Sequence, residues 1–136
     1  MEEKIQELYF HLKTLKSALN TLEEILEEPF SLIVRDATIQ RFEYTFELAW
    51  KLFRKAAIIE GIEVGSPRQA IRAMRDVGLL NDIDTWFEMM NDRNRTSHTY
   101  SATTAEQVFE SACNLPSKLR AAMSAIEHHY LDSTQE

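Results

Sequence analysis

Only three glycines and three prolines interrupt the 136 residues. That is too few for the many tight turns of a β-sandwich or β-barrel, and enough for a handful of helices joined by short loops. The single cysteine, Cys113, excludes an intramolecular disulfide. The opening Met-Glu-Glu-Lys has neither the basic nor the apolar region of a signal peptide, so a reducing cytoplasm is the expected setting. No apolar run approaches the roughly 20 residues of a membrane-spanning helix, so no membrane span is expected. A glycine-rich phosphate loop is missing too: Gly61, Gly65 and Gly78 stand alone, and the chain brings no nucleotide cradle of its own. His128 and His129 are adjacent instead of four apart, and no Cys/His/Asp cluster has ligand spacing, so neither a metal nor another cofactor is expected.

What remains has the balance of a folded domain. Hydrophobic residues at 44% and charged residues at 27% exclude a disordered chain. The length suits one domain over residues 1–136 with one core. A net charge of -7 argues against general attraction to nucleic acid, but the charge is uneven. Seven glutamates face three lysines in residues 1–30, whereas residues 66–78 carry Arg68, Arg72 and Arg75 against Asp76. That basic strip could hold a phosphate backbone, although a solvated charged face is the commoner origin of such spacing.

Apolar spacing predicts an all-α protein, an antiparallel bundle of four or five helices. Ile5, Leu8, Leu12, Leu15, Leu19, Leu22 and Leu26 recur at steps of three and four, forming the seam of one long helix that Pro29 breaks. A second stripe, Ile39, Phe42, Phe46, Ala49, Trp50, Phe53 and Ala57, follows Asp36 and ends at Gly61. Tyr44, Leu48, Leu52 and Ile59 lie off that stripe, which marks this helix as the central one. Ser66-Pro67-Arg68-Gln69 reads as a helix start with Ser66 as N-cap, and Gly78 closes that short helix. A fourth helix begins near Asn81 or Asp82. Thr103 and Thr104, each three residues before Glu106 and Gln107, predict the start of a fifth, which Pro116 should kink. Cys113, beside Ala112, reads as core, and residues from Asp132 onward read as a loose tail.

The pattern breaks on the fourth helix. Ile83, Trp86, Phe87 and Met90 define its buried face, and the same period lands next on Arg93 and Asn94, then on Ser97 and His98. Polar groups where core is expected mark either a functional site or a solvated helix end. Histidine exchanges a proton near neutral pH, and Arg93 or Arg95 offers a fork of donors suited to phosphate. Asn94 and His98, four apart, would share a helix face, whereas Arg93 and His98 would lie about 140° apart. Convergence of those two needs a reaching side chain, a frayed turn or a second copy. Together with Tyr100, this set suits phosphodiester chemistry, with a guanidinium for developing charge and an imidazole for proton transfer.

Three segments in order carry a family resemblance: Arg-Phe-Glu-Tyr-Thr-Phe-Glu-Leu-Ala-Trp-Lys (41–51), Ser-Pro-Arg-Gln-Ala-Ile-Arg (66–72) and Trp-Phe-Glu-Met-Met-Asn-Asp-Arg-Asn-Arg-Thr-Ser-His-Thr-Tyr (86–100). They resemble the nucleotidyltransferase substrate-binding proteins, a branch of the HEPN superfamily, over most of the chain. The resemblance implies a HEPN-like bundle that forms a homodimer and a separately encoded minimal nucleotidyltransferase as partner. In HEPN ribonucleases an Arg, a polar residue and a following His carry metal-independent RNA cleavage, and Arg93, Asn94 and His98 match that pattern. Related toxin-antitoxin pairs have a tyrosine two residues after the histidine, which the partner adenylylates to silence the toxin. Tyr100 occupies that position. The older implication of the family name is a non-catalytic subunit that presents a substrate to the nucleotidyltransferase.

Overall fold

The computed structural model describes residues 2–132. Its order is α1 (Glu2–Leu26), α2 (Leu32–Ile59), α3 (Pro67–Val77), α4 (Ile83–Arg93) and α5 (Ala102–Ile126). A 3-10 turn, Thr96–His98, joins α4 to α5, and a π-helical turn, Glu127–Leu131, extends α5. Among the described residues there is no strand and no helix long and apolar enough to cross a membrane. The expected loose tail lies, beyond Asp132, outside the described residues.

Long-range pairs fix the directions. Lys55 meets Glu7 and Arg41 reaches the carbonyl of Thr21, so α1 and α2 run antiparallel. Lys16 pairs with Glu127 and Arg120 with Glu23, so α5 runs back along α1 as well. Ser111 meets Asp92 and Lys118 meets Asp82, which sets α4 antiparallel to α5. Helix α2 touches every other helix and the 3-10 turn, the central place that its apolar residues off the main stripe predicted. The seam residues Leu8, Leu12, Leu15, Leu19 and Leu22 are fully buried against Phe42, Phe46 and Phe53. Trp86 of α4 closes the core, its ring 5.2 Å from Phe53 and 6.2 Å from Phe46.

The α3 boundaries follow local chemistry. The Ser66 side chain accepts from Gln69 N at 3.2 Å, and Pro67 opens the helix where no amide partner is lost. The Gln69 side chain reaches one residue past the N-cap, accepting from Gly65 N at 2.7 Å. Gly78 ends the helix at φ 86°, ψ 18°, in the left-handed region. A Cβ there would meet no atom within 4 Å, so backbone strain alone sets the cost of a substitution. Gly78→Ala is expected to lower stability by about 1 kcal/mol. Urea denaturation should report this as a lower midpoint at unchanged slope, and an unshifted midpoint would refute the capping role.

Several sequence expectations need correction. Helix α2 starts at Leu32, ahead of Asp36, because Ser31 caps it by accepting from Val34 N at 3.0 Å. Its first turn carries no part of the buried stripe from which periodicity reads a helix, since Leu32 and Ile33 face solvent. Helix α5 is capped by Ser101, which accepts from Thr104 N, so Thr103 and Thr104 lie inside its first turn. Cys113 is exposed, one helical step off the face that buries Ala112. Partial burial and the charge of Glu110 push its thiol pKa up, away from reactivity.

Candidate functional site

The segment after α4 leaves the helical path at once. Asn94 N still donates to Met90 O at 3.1 Å, but Arg95 N turns to Asp92 O at 3.0 Å and His98 N to Arg95 O at 2.9 Å. Threonine hydroxyls take over carbonyls in the same stretch, Thr96 bonding Arg93 O and Thr99 bonding Thr96 O. Such side-chain bonds offer the backbone an alternative to the α ladder. Asn94 and His98 therefore do not share a helix face, as continued periodicity predicted; Asn94 caps α4 and His98 ends the 3-10 turn. Both are exposed.

His98 and Tyr100 are brought together. The Tyr100 hydroxyl lies 3.5 Å from His98 Nδ1, and the rings meet edge to face with centroids 6.0 Å apart. Tyr100 is 86% exposed, the most open of the large hydrophobic side chains among the described residues. The phenol thus stands in solvent with an imidazole nitrogen beside its oxygen.

Arg93 points elsewhere. Its Nη2 donates to Glu47 Oε2 of α2 at 2.9 Å, and no hydrogen bond or ion pair among the described residues joins it to His98. Glu47 is shared: Trp50 Nε1 donates to the same oxygen at 3.0 Å, and Lys51 Nζ lies 3.5 Å from the other. Burial opposes ionisation of Glu47, but the Trp50 N–H, Arg93 and Lys51 outweigh it and hold the carboxyl below its ordinary range. Arg93 Nε is buried without a partner. The guanidinium closes one side of an open groove of about 760 Å³ between α1 and α2. Thr14, Ser17, Ala18 and Thr21, small residues at helical spacing, leave that space on α1, and Gln40, Tyr44 and Leu48 border it on α2.

These features can be set beside known proteins. Residues 10–127 match a family described as nucleotidyltransferase substrate binding protein like. The chain belongs to this family. The crystal structure of ttk003001694, a protein of Thermus thermophilus, shares 39% identity with it at a TM-score of 0.75, over 82% of this chain and 98% of that one. No curated protein matches. Family membership agrees with the resemblance carried by the three sequence segments, and its description points to a nucleotidyltransferase as partner.

The other arginines of interest are held apart from Arg93. Arg95 pairs with Asp92, which also accepts from Ser111 Oγ at 2.5 Å, on the side of α4 that faces α5. Arg68 and Arg72 lie over the Phe87 ring at 4.5 and 5.7 Å, and Arg75 pairs with Asp76. All three stand exposed along α3. Sequence reasoning missed Glu47 and Asp92. Glu47 had a signal, since a carboxylate beside core positions Phe46 and Ala49 of the central helix is half-buried and gains from a cation nearby. Among the described residues no group of three or more His, Cys, Asp and Glu could hold a metal.

Proposed function

We propose that this chain is the HEPN-type member of a two-protein system, a metal-independent endoribonuclease silenced by a separately encoded minimal nucleotidyltransferase that adenylylates Tyr100. The observation that carries the reading is the Tyr100 hydroxyl, open to solvent and 3.5 Å from His98 Nδ1. In cleavage, the ribose 2′-oxygen attacks the adjacent phosphorus and the bond to the 5′-oxygen breaks, leaving a cyclic phosphate and a free 5′-hydroxyl. His98 is the proton-transfer group, and Arg93 supplies positive charge to the phosphorane, with Asn94 beside it. Arg93 is turned to Glu47 within one chain, so convergence with His98 calls for a homodimer in which a second copy completes the site.

The same geometry supports the silencing step. The Tyr100 oxygen attacks the α-phosphorus of ATP, the bond to the β-phosphate breaks, pyrophosphate leaves, and the phenolic proton passes to His98 Nδ1 or to water. The phosphodiester so formed puts negative charge and bulk beside His98, where RNA must enter. Purified protein incubated with the partner and ATP should gain the mass of one AMP per chain and lose RNA cleavage measured in EDTA. Tyr100→Phe should keep cleavage and gain no mass; modification at another residue would overturn the assignment.

A second reading has its own observation. The groove of about 760 Å³ closed by Arg93 falls in the usual size range of small-molecule sites, about 300–1,000 Å³. A non-catalytic subunit that presents a substrate to the nucleotidyltransferase would use it. In that case neither wild type nor His98→Ala cleaves RNA, while the partner's transferase activity depends on this chain.

A further inference from the structure

Three large apolar side chains stand in water where the chain turns from α1 into α2. Phe30, Leu32 and Ile33 are 66%, 62% and 83% exposed. The one residue between them, Ser31, is committed to capping α2. The Phe30 ring meets that of Phe109 of α5 edge-on, with centroids 5.5 Å apart. A single exposed leucine is ordinary, whereas a cluster of three apolar side chains at a helix turn calls for a cause.

The surrounding charge is predominantly negative. Glu27 and Glu28 precede the cluster and Asp36 follows it, all exposed. On α5, exposed Glu106 and Glu110 flank Phe109. The cation of this turn, Arg35, is paired with Asp36 at 3.1 Å. An apolar centre with a charged rim is the anatomy of a protein–protein contact, in which the centre supplies affinity and the rim selects the partner.

We propose that this acid-collared turn docks the nucleotidyltransferase, which meets it with an apolar depression framed by Lys and Arg; the proposal rests on the two-protein reading above. A second copy of this chain fits the surface poorly. Through a two-fold contact its own Glu27, Glu28 and Asp36 would face the same collar, and like charges across an interface are unfavourable.

The test uses the full chain and the minimal nucleotidyltransferase encoded in the same genome. Complex formation is followed by light scattering on a sizing column, and association rate by surface binding at low and high NaCl. Ile33→Glu, at a side chain already in solvent, should weaken the complex about tenfold or more with the thermal midpoint and the chain's own oligomeric mass unchanged. Glu27→Lys with Glu28→Lys should slow association and flatten its salt dependence. Variants that bind the partner as wild type does would overturn the docking assignment while leaving the two-protein reading intact. Loss of self-association in Ile33→Glu would overturn it in favour of a second copy. A wild-type chain that binds no nucleotidyltransferase would overturn both.

Discussion

On the proposed ribonuclease reading, wild-type protein should cleave RNA in EDTA and His98→Ala protein should leave it intact, with the thermal midpoint of unfolding unchanged. Loss of a proton-transfer group in a phosphodiester site costs about 10²–10⁴-fold in rate. The fold should not register the change, because the His98 side chain is exposed and meets the edge of Tyr100, itself in solvent. Its backbone keeps both bonds of the turn, His98 N to Arg95 O and Ser101 N to His98 O, whatever the side chain. Surface changes of this kind stay within about 0.5 kcal/mol. Rate and midpoint together separate three roles. A lost rate at constant midpoint identifies a chemical role, a lowered midpoint a structural one, and an unchanged rate excludes His98 from the reaction.

The bundle was legible because apolar spacing is a local signal. The α1 seam and the α2 stripe recur every three or four residues, and the structure buries Leu8, Leu12, Leu15, Leu19 and Leu22 against Phe42, Phe46 and Phe53. The punctuation of α3 was equally local: Ser66 bonds Gln69 N three residues on, and Gly78 takes the positive φ that other residues avoid. Legibility failed where local groups had two options. Extending the α4 period through Arg93 to His98 assumed that the amide ladder continues, whereas the hydroxyls of Thr96 and Thr99 bond carbonyls of the same stretch and the amides shift to i−3 partners. The capping choice at α5 was a similar contest among Ser101, Thr103 and Thr104, settled by Ser101 standing in extended backbone at ψ 122°.

Within the site, the pair His98 and Tyr100 could be read because the two are close neighbours in sequence. The partner of Arg93 could not, because Glu47 lies 46 positions away. The structure thereby divides the motif in two. His98 and Tyr100 project from the turn into solvent, while Arg93 is drawn back against α2. Glu47 is for this reason the residue through which the fold sets the direction of the guanidinium, a positioning residue for any chemistry in which Arg93 takes part.

Glu47→Ala should lower stability by about 1–2 kcal/mol. The variant removes the acceptor of Arg93 Nη2 and of the Trp50 indole together, next to an Arg93 Nε that already lacks a partner. The two side chains of the ion pair are 30% and 32% exposed, so water compensates part of the loss and the full cost of a buried charge does not apply. Glu47→Gln keeps an oxygen acceptor and discards the charge, so it should cost less than alanine, and the difference between the two isolates the hydrogen bonds. The pH dependence follows from the direction of the Glu47 shift. Its folded carboxyl lies below the ordinary value of 4.5, so its contribution is complete above that value and disappears as pH falls through the folded pKa. The stability gap between wild type and Glu47→Gln should therefore be constant near neutrality and narrow under acid, read by urea denaturation at each pH. A gap independent of pH would mean that Glu47 acts through packing, and the guanidinium would then be held by the groove walls of α1 and α2 instead of by charge.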